Sequence, residues 1–229
     1  MRKHSTFDGG KGAIWWTRLK RALGTTSSDF VNASLIQLQR AYQIDWKKIQ
    51  TGASTPNGLT YFVNANGARS RGGEIELKYL LSQHLQVGFT GAYTDSQFTS
   101  PYAPVAVKVG DPLPGIPRWT GSFVTNYYFS LPGDWSGRAG AAYGWTGARN
   151  SSTVADPANF RLGSYGALNM NAEFSKGAWT ISVYGKNLAN DRTYLNIAPL
   201  MDVLTRTTTA LTANQLQPRT IGVEVDLHL

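Results

Sequence analysis

Apolar and polar residues alternate along most of the chain from about residue 31 onward, with the period of two that is typical of β-strands. In the stretch "GGEIELKYLL", an apolar row that starts at Ile75 alternates with a charged row that starts at Glu74. The same pattern predicts eight strands, which begin near residues 35, 72, 85, 118, 138, 167, 179 and 220. The first strand is the least regular, because Arg40 interrupts its apolar row, which consists of Ile36, Leu38, Tyr42, Ile44 and Trp46.

The connections between the predicted strands differ in length. Short turns with the sequences "SQH", "LPGDWS" and "SKGA" join the second strand to the third, the fourth to the fifth and the sixth to the seventh. The other connections after the third strand are roughly twenty to thirty residues long and rich in Pro, Ser, Thr, Asn and Asp. Short turns at one rim and long loops at the other favour an all-β fold, an antiparallel transmembrane β-barrel segment of about eight strands that forms a partial barrel.

Aromatic residues gather near the ends of the predicted strands, where the interfacial girdles of a membrane barrel lie. One group lies around the short turns: Tyr127, Tyr128, Phe129, Trp135, Phe174 and Trp179. A second group lies near the long loops: Tyr93, Trp119, Trp145 and Trp46.

Periodicity alone would also suit a soluble β-sandwich or barrel whose apolar faces pack on each other. Against that alternative, the polar faces are rich in Gly, Thr, Ser and Asn, whereas a solvated sheet normally carries more charge.

Composition agrees with glycine-rich and aromatic-rich strands. Charged residues make up 16% of the chain, below the roughly 25% of soluble domains, while aromatic residues reach 12% and glycines number 24. The absence of cysteine excludes disulfides, thiolate zinc sites and cysteine nucleophiles. No segment reaches the ~18 consecutive apolar residues of a membrane-spanning helix.

The formal net charge of +8 belongs mostly to the beginning of the chain, since residues 1–48 hold nine Lys and Arg against three Asp and Glu. We treat residues 1–30 as a separate, poorly defined basic segment and residues 31–229 as the barrel portion. The stretch "WWTRLKRAL" suits a solvated arm, or a short amphipathic helix that touches anionic lipid or nucleic acid. The basic start is not followed by the apolar core of a secretory signal peptide.

Several short stretches of sequence, taken in order along the chain, resemble one protein family. "YQIDWKKIQTG" and "NANGARSRGGEIEL" are similar to the middle of the barrel of TonB-dependent receptors, the ligand-gated importers of the Gram-negative outer membrane. The stretches "LPGIPRWTGSFVTNYYF", "YGALNMNAEF", "WTISVYGKNLAND" and "PRTIGVEVDLHL" resemble the last strands of that family in the same order. The resemblance covers about residues 31–229.

This resemblance implies a 22-stranded barrel closed by an N-terminal plug and energised by the inner-membrane TonB complex. With about eight strands and no plug, the chain is expected to be the C-terminal part of such a receptor. The expected role is the active uptake of a scarce nutrient, such as a siderophore or other metal chelate, a vitamin or a saccharide. The implied location is the Gram-negative outer membrane. The implied partners are outer-membrane lipid, a plug domain, the TonB complex and an unidentified small-molecule ligand, with no nucleic acid.

Two other functions remain open at this stage. The first is a self-contained small outer-membrane barrel with a structural or adhesive role, because eight strands can close on themselves. The second is a soluble basic β-domain that binds polyanions through its N-terminal arm.

Nothing in the sequence indicates catalysis. His4, His84 and His228 are far apart, and the "GGKG" at residues 9–12 lacks the spacing of a phosphate-binding loop. We therefore predict no enzyme activity, no catalytic residues, no metal ligands and no cofactor. Since importers gather ligand at the outer mouth, we take loop residues as the substrate-binding candidates: Tyr102, Lys108, Asp111, Arg149 and Arg161.

Overall fold

The computed structural model describes residues 35–54, 60–64, 67–103, 106–156, 158–201 and 208–228, which form fourteen strands and no α-helix. Eight of the strands form the main sheet: β1 Leu35–Lys47, β4 Gly67–Leu80, β5 Leu85–Phe98, β6 Trp119–Leu131, β7 Trp135–Thr146, β10 Tyr165–Lys176, β11 Trp179–Lys186 and β14 Thr220–Leu227. The other six form three hairpins: β2 Gln50–Ser54 with β3 Thr60–Asn64, β8 Arg149–Asn150 with β9 Arg161–Leu162, and β12 Tyr194–Met201 with β13 Thr208–Gln215.

The eight predicted strands are confirmed, and each corresponds to one strand of the main sheet. Several are longer than the pattern indicated; for example, β4 begins at Gly67 and β5 ends at Phe98. The three hairpins were not predicted, and all of them lie within the long connections. The basic segment 1–30 lies outside the described residues, so its boundary stays a prediction. Within the described part of the chain there is no helix that could cross a membrane.

All neighbouring strands of the main sheet are antiparallel, in the order β1-β4-β5-β6-β7-β10-β11-β14. The short turns join β4 to β5, β6 to β7 and β10 to β11, and therefore lie at one rim, while the long connections lie at the other. Among the described residues, β1 and β14 each pair on one side only, so both are edges of the sheet.

One face of the sheet is apolar and uncovered. The exposed fraction of the residue is 56% for Trp119, 47% for Phe123 and 66% for Val223, all of which lie on this face. A soluble sandwich would cover such a face with a second layer, and the described residues supply none. An apolar face of this kind is the surface that a membrane barrel presents to lipid.

Aromatic rings mark both ends of the apolar face. Near the long loops, the rings of Tyr93 and Trp119 lie 4.7 Å apart, and near the short turns Phe129 lies 6.1 Å from Phe174, measured between ring centroids. Phe129 follows Trp119 by ten positions on β6, which is about 34 Å along a strand. With the usual strand tilt, this length spans an apolar band of about 25 Å. The two girdles are therefore spaced as in a membrane barrel.

The orientation of β1 differs from the expectation that the apolar row of every strand lies on the same face of the sheet. Its pairing with β4 places Arg40 opposite Glu74 and Trp46 opposite Ala68, so the apolar row of β1 shares the face that carries the charged row of β4. The prediction that Trp46 belongs to the lipid-facing girdle is therefore wrong. Arg40 explains the orientation, because an arginine on the lipid face near the middle of a bilayer costs about 2–4 kcal/mol. The register places the uncharged Gln39 on the apolar face instead.

Aromatic rings cover glycines on neighbouring strands. A Cβ atom on Gly137 would lie 2.3 Å from the ring of Phe129, and one on Gly222 would lie 2.5 Å from the ring of Tyr184. On the polar face, the hydroxyl of Tyr42 reaches past Gly72 to Thr94, with an oxygen-to-oxygen distance of 2.8 Å. Cross-strand pairs of this kind fill the space above a glycine and help to fix the register.

We expect Gly137→Ala to lower the free energy of unfolding by about 1–3 kcal/mol, because the Phe129 ring must leave its place. Gly144→Ala is the matched control on the same strand, since nothing lies within 4 Å of its Cβ position. Urea titration of both variants in detergent micelles, followed by tryptophan fluorescence, measures the difference. Equal losses in the two variants would contradict the role given to the ring.

Candidate functional site

The polar face lines a concavity of about 560 Å³ that crosses β1, β4, β5, β6, β7 and β10. Its charged residues are Arg40, Glu74 and Glu76, and Glu76 pairs with Lys78 at 2.8 Å. Hydroxyl groups line part of the remaining surface, including those of Thr90 and Ser122, whose oxygens lie 2.8 Å apart. Small residues keep this face open at the following positions: Gly88, Ala92, Gly140, Ala142 and Gly144. The arrangement provides a wall with charged, hydroxyl and small side chains.

The long loop between β5 and β6, residues 99–118, folds back onto the end of the polar face. Val107 and Leu113 from the loop pack on Ala68 and Phe98, and all four side chains are buried. The loop is also held by main-chain bonds, since Phe98 N donates to Asp111 O at 2.9 Å and Leu113 N donates to Ser96 O at 3.0 Å. This loop therefore has a fixed conformation with a small core of its own.

Three of the predicted substrate-binding residues lie in this loop. Tyr102 packs against the small core, and the carboxylate of Asp111 accepts a hydrogen bond of 2.8 Å from the backbone N–H of Lys108. Asp111 thereby closes a turn whose Gly110 has a φ of 90°. Lys108 and the neighbouring Val109 are exposed at the tip of this turn. Tyr102 and Asp111 thus have structural contacts, while the ammonium group of Lys108 faces solvent; a role in ligand binding stays a prediction.

The other two candidates, Arg149 and Arg161, lie on the β8–β9 hairpin of the loop between β7 and β10. Arg149 pairs with Leu162 and Arg161 with Asn150, so the two arginines are diagonal across the hairpin and their side chains lie on opposite faces. Arg149 Nη2 donates a 2.7 Å hydrogen bond to the carbonyl oxygen of Leu195, and its guanidinium lies 5.6 Å from the centre of the Tyr165 ring. The two candidates thus share one hairpin but not one face of it, and a role in ligand binding stays a prediction.

Asn187 closes the base of the longest loop, residues 187–219. Its side-chain N–H groups donate to the carbonyl oxygens of Asp191 at 2.9 Å and Gln217 at 2.7 Å, and its Oδ1 accepts from Asp191 N at 3.1 Å. Its own backbone N–H donates to Asn169 Oδ1 on β10 at 2.9 Å. Asn187 is 3% exposed and has a φ of 47°, a conformation that asparagine tolerates better than most residues. One side chain thus joins the start of the loop, its end and the sheet.

Asp191 extends this network. Its Oδ1 accepts hydrogen bonds from Thr193 Oγ1 at 2.6 Å and Thr193 N at 2.8 Å, and its Oδ2 accepts one from Gly166 N at 3.2 Å. The Thr193 hydroxyl, followed by the Thr193 backbone N–H, holds the pKa of the Asp191 carboxyl below its usual value, and the Gly166 N–H adds to this effect while burial opposes it. Sequence analysis missed both Asn187 and Asp191, although the "NLAND" spacing is a local signal for side-chain capping of a turn.

Among the described residues, no group of three His, Asp or Glu side chains lies together in a way that could hold a metal ion.

The sequence belongs to a known family. The family model described as "TonB dependent receptor-like, beta-barrel" matches residues 23–188, and the chain is therefore a member of that family. The proteins of this family are outer-membrane receptors and transporters of Gram-negative bacteria. A search of curated proteins found no match.

Solved receptors share the fold of this chain. The ferric yersiniabactin uptake receptor FyuA from Yersinia pestis matches with 19% identity and a TM-score of 0.67, covering 84% of this chain and 27% of that one. The copper transporter OprC matches with 20% identity and a TM-score of 0.61, covering 84% and 28%. BauA, the ferric preacinetobactin receptor from Acinetobacter baumannii, matches with 14% identity and a TM-score of 0.60, covering 84% and 27%. The chain thus spans little more than a quarter of the length of these three proteins.

We expect Asn187→Gly to loosen the β12–β13 hairpin, because glycine keeps the positive φ without strain but removes three side-chain hydrogen bonds. At about 1 kcal/mol for each bond, amide exchange in the hairpin should become at least tenfold faster. Hydrogen exchange with mass spectrometry measures this rate. Asp134→Gly, at a positive-φ position in a short turn at the opposite rim, is the control; unchanged exchange in the Asn187 variant would disprove the role of its side chain.

We expect the hairpin to loosen in acid, because the pKa of Asp191 is lowered in the folded loop. The stabilisation is fully present above the usual carboxyl pKa of 3.8 and is lost as the pH falls through the lowered value. Since the chain has no cysteine, Leu211→Cys on β13 can carry a single spin label whose mobility reports loosening during an acid titration. Asp191→Asn in the same background should flatten this transition, and a transition that is identical in both proteins would exclude Asp191 as its source.

Proposed function

We propose that this chain forms part of the wall and outer mouth of a TonB-dependent receptor in a Gram-negative outer membrane and serves the active uptake of a scarce metal chelate. The observation that carries this proposal is the two-faced sheet, with an uncovered apolar face between two aromatic girdles and a polar, concave face behind it. Membership of the receptor family supports the transport role. Transport of this kind makes and breaks no bonds, so the chain contributes shape, charge and loops.

The two sheet edges support completion of the barrel by further strands. Each backbone N–H or C=O left unpaired in lipid costs several kcal/mol, and the free edges of β1 and β14 carry a row of them. A self-contained eight-stranded barrel would pair these two edges with each other and fill its interior with side chains. The small residues of the polar face, such as Gly144, supply little filling. A larger barrel is therefore the better interpretation.

Charges on the polar face suit a plug domain inside the barrel. Although Arg40 and Glu74 are opposite each other on β1 and β4, neither belongs to an ion pair within 4.0 Å among the described residues. A buried partner would gain from pairing with such groups, because charge-assisted hydrogen bonds are about twice as strong as neutral ones. We propose that a plug pairs with them and that the TonB complex acts through that plug.

Metal chelates are the ligand class that we favour. Three of the similar structures are a ferric yersiniabactin uptake receptor, a copper transporter and a ferric preacinetobactin receptor. Their identity to this chain is 20% or less, so they support the class of ligand only through the shared fold. Vitamins and saccharides are the alternative cargoes.

Deleting the gene from its host should slow growth when chelated iron or copper is the only source of that metal, and excess free metal should restore it. Uptake of the radiolabelled chelate should stop when a protonophore collapses the energy supply, and the protein should fractionate with the outer membrane. Complementation with the unaltered gene controls for secondary mutations. Recovery of the protein in the soluble fraction, or uptake that the protonophore leaves unchanged, would refute the proposal.

A further inference from the structure

A second cavity lies between two of the long loops. It measures about 420 Å³, within the range of small-molecule sites, and brings the end of the β8–β9 hairpin against the loop that leads into β12. Its lining is Arg161, Leu162, Gly163, Asp191, Arg192, Thr193, Tyr194 and Ile197. Gly163 lies against Thr193, since a Cβ atom there would be at the ordinary contact distance of 3.9 Å from the methyl group of Thr193. The cavity is separate from the concavity on the polar face of the sheet, and the two share no lining residue.

The charge of this cavity is positive. It contains two guanidinium groups, those of Arg161 and Arg192, and one carboxylate, that of Asp191. Asp191 forms no ion pair with either arginine among the described residues, and its oxygens accept hydrogen bonds from Thr193 and Gly166, so the lining keeps an excess of one positive charge. By contrast, the concavity on the polar face has two carboxylates and one guanidinium. Since Glu76 is paired with Lys78, the charges around that concavity are balanced, whereas the second cavity has an excess of one positive charge and attracts anions.

The arginines of this cavity have unused donors. Among the described residues, the side chain of Arg161 is bonded only through a long contact of 3.5 Å to Asn150 Oδ1, and Arg192 donates from Nε to Asn190 Oδ1 at 3.1 Å. Neither forms an ion pair among the described residues, and both side chains are exposed. The planar guanidinium group has five N–H donors, and its preferred partner is a two-oxygen face of a carboxylate or phosphate. Most of these donors remain available.

Arg149, on the same hairpin as Arg161, does not line this cavity. Its Nη2 is bonded to the carbonyl of Leu195, and its guanidinium lies over the ring of Tyr165, which lines the concavity on the polar face. Its side chain lies on the face of the hairpin opposite to that of Arg161. The positive groups of the cavity are therefore Arg161 and Arg192.

From this geometry we infer that the cavity between the β8–β9 hairpin and the start of β12 binds an oxyanion group, a carboxylate or a phosphate, through Arg161 and Arg192. Tyr194 supplies a hydroxyl and an aromatic surface beside the anion, and Ile197 supplies an apolar wall. This inference rests on the proposed function for its biological role, where the group would be the anionic periphery of a chelate. The same chemistry would accept the phosphate of a lipid headgroup, which the test must distinguish.

The test measures equilibrium binding of radiolabelled citrate and of pyrophosphate to the full chain in neutral detergent micelles. Saturable binding that weakens as salt is raised is the expected result, because the attraction is electrostatic. The double variant Arg161→Gln/Arg192→Gln should bind at least about tenfold more weakly, since a charge-assisted hydrogen bond is worth about 1.5–3 kcal/mol. Arg71→Gln on β4 removes the same charge outside the cavity and should leave binding unchanged.

Failure to bind either anion, or equal binding by the double variant and the unaltered chain, would overturn the inference. Citrate binding measured in nanodiscs distinguishes the two sources of the oxyanion. If phosphatidylglycerol competes with citrate and phosphatidylcholine does not, the site binds a lipid headgroup. If neither lipid competes, the site binds a soluble ligand. Energy-dependent uptake by the host separates this inference from the proposed function. If uptake requires the protein but is unaffected by the double variant, and the anions do not bind, the receptor proposal stands and the oxyanion site is wrong.

Discussion

The uninterrupted pairing of antiparallel strands is the constraint on which the rest of this structure depends. From Ala68 to Leu80, every residue of β4 has a partner on β5, and β6 and β7 are paired in the same continuous way. Because side chains alternate between faces with a period of two, a slip by one residue would exchange the polar and apolar faces of a strand. Continuous pairing keeps Glu74, Thr90 and Ser122 on one face and Phe89 and Phe123 on the other. The same pairing satisfies the backbone groups, which lipid cannot do.

Order in the long loops is achieved differently, since they have no extended sheet to join. The 99–118 loop uses apolar contacts, burying Val107 and Leu113 against two side chains at the end of the sheet. The 187–219 loop uses polar contacts, with Asn187 and Asp191 satisfying backbone groups that are distant in sequence. Both devices fix the loop where it leaves the sheet, so the β12–β13 hairpin of the 187–219 loop projects from a defined base. A loop anchored in this way can hold ligand-binding groups in place without a large core.

Sequence reasoning recovered the main sheet because period-two alternation is a local property that each strand carries by itself. It did not tell which face of β1 points outward, since alternation defines two faces, and the apolar row of β1 contains Arg40, which the register places on the polar face. It also missed Asn187, whose partner Gln217 is thirty residues away along the chain. Among the binding candidates, Arg149 and Arg161 lie on one hairpin but on opposite faces of it, and the folding contacts of Tyr102 and Asp111 could be found only from the structure.

The division between sheet and loops has a consequence for recognition. On the sheet, every polar side chain is tied to a register that neighbouring strands share, so changing the position of one charge means shifting a whole strand. In the loops, Arg161 and Arg192 come from different hairpin bases, and either can be replaced without disturbing the main sheet, because neither residue belongs to it. A constant sheet with adaptable loops separates membrane stability from ligand choice. In the receptor that we propose, the loop bases rather than the sheet would therefore set which ligand is bound.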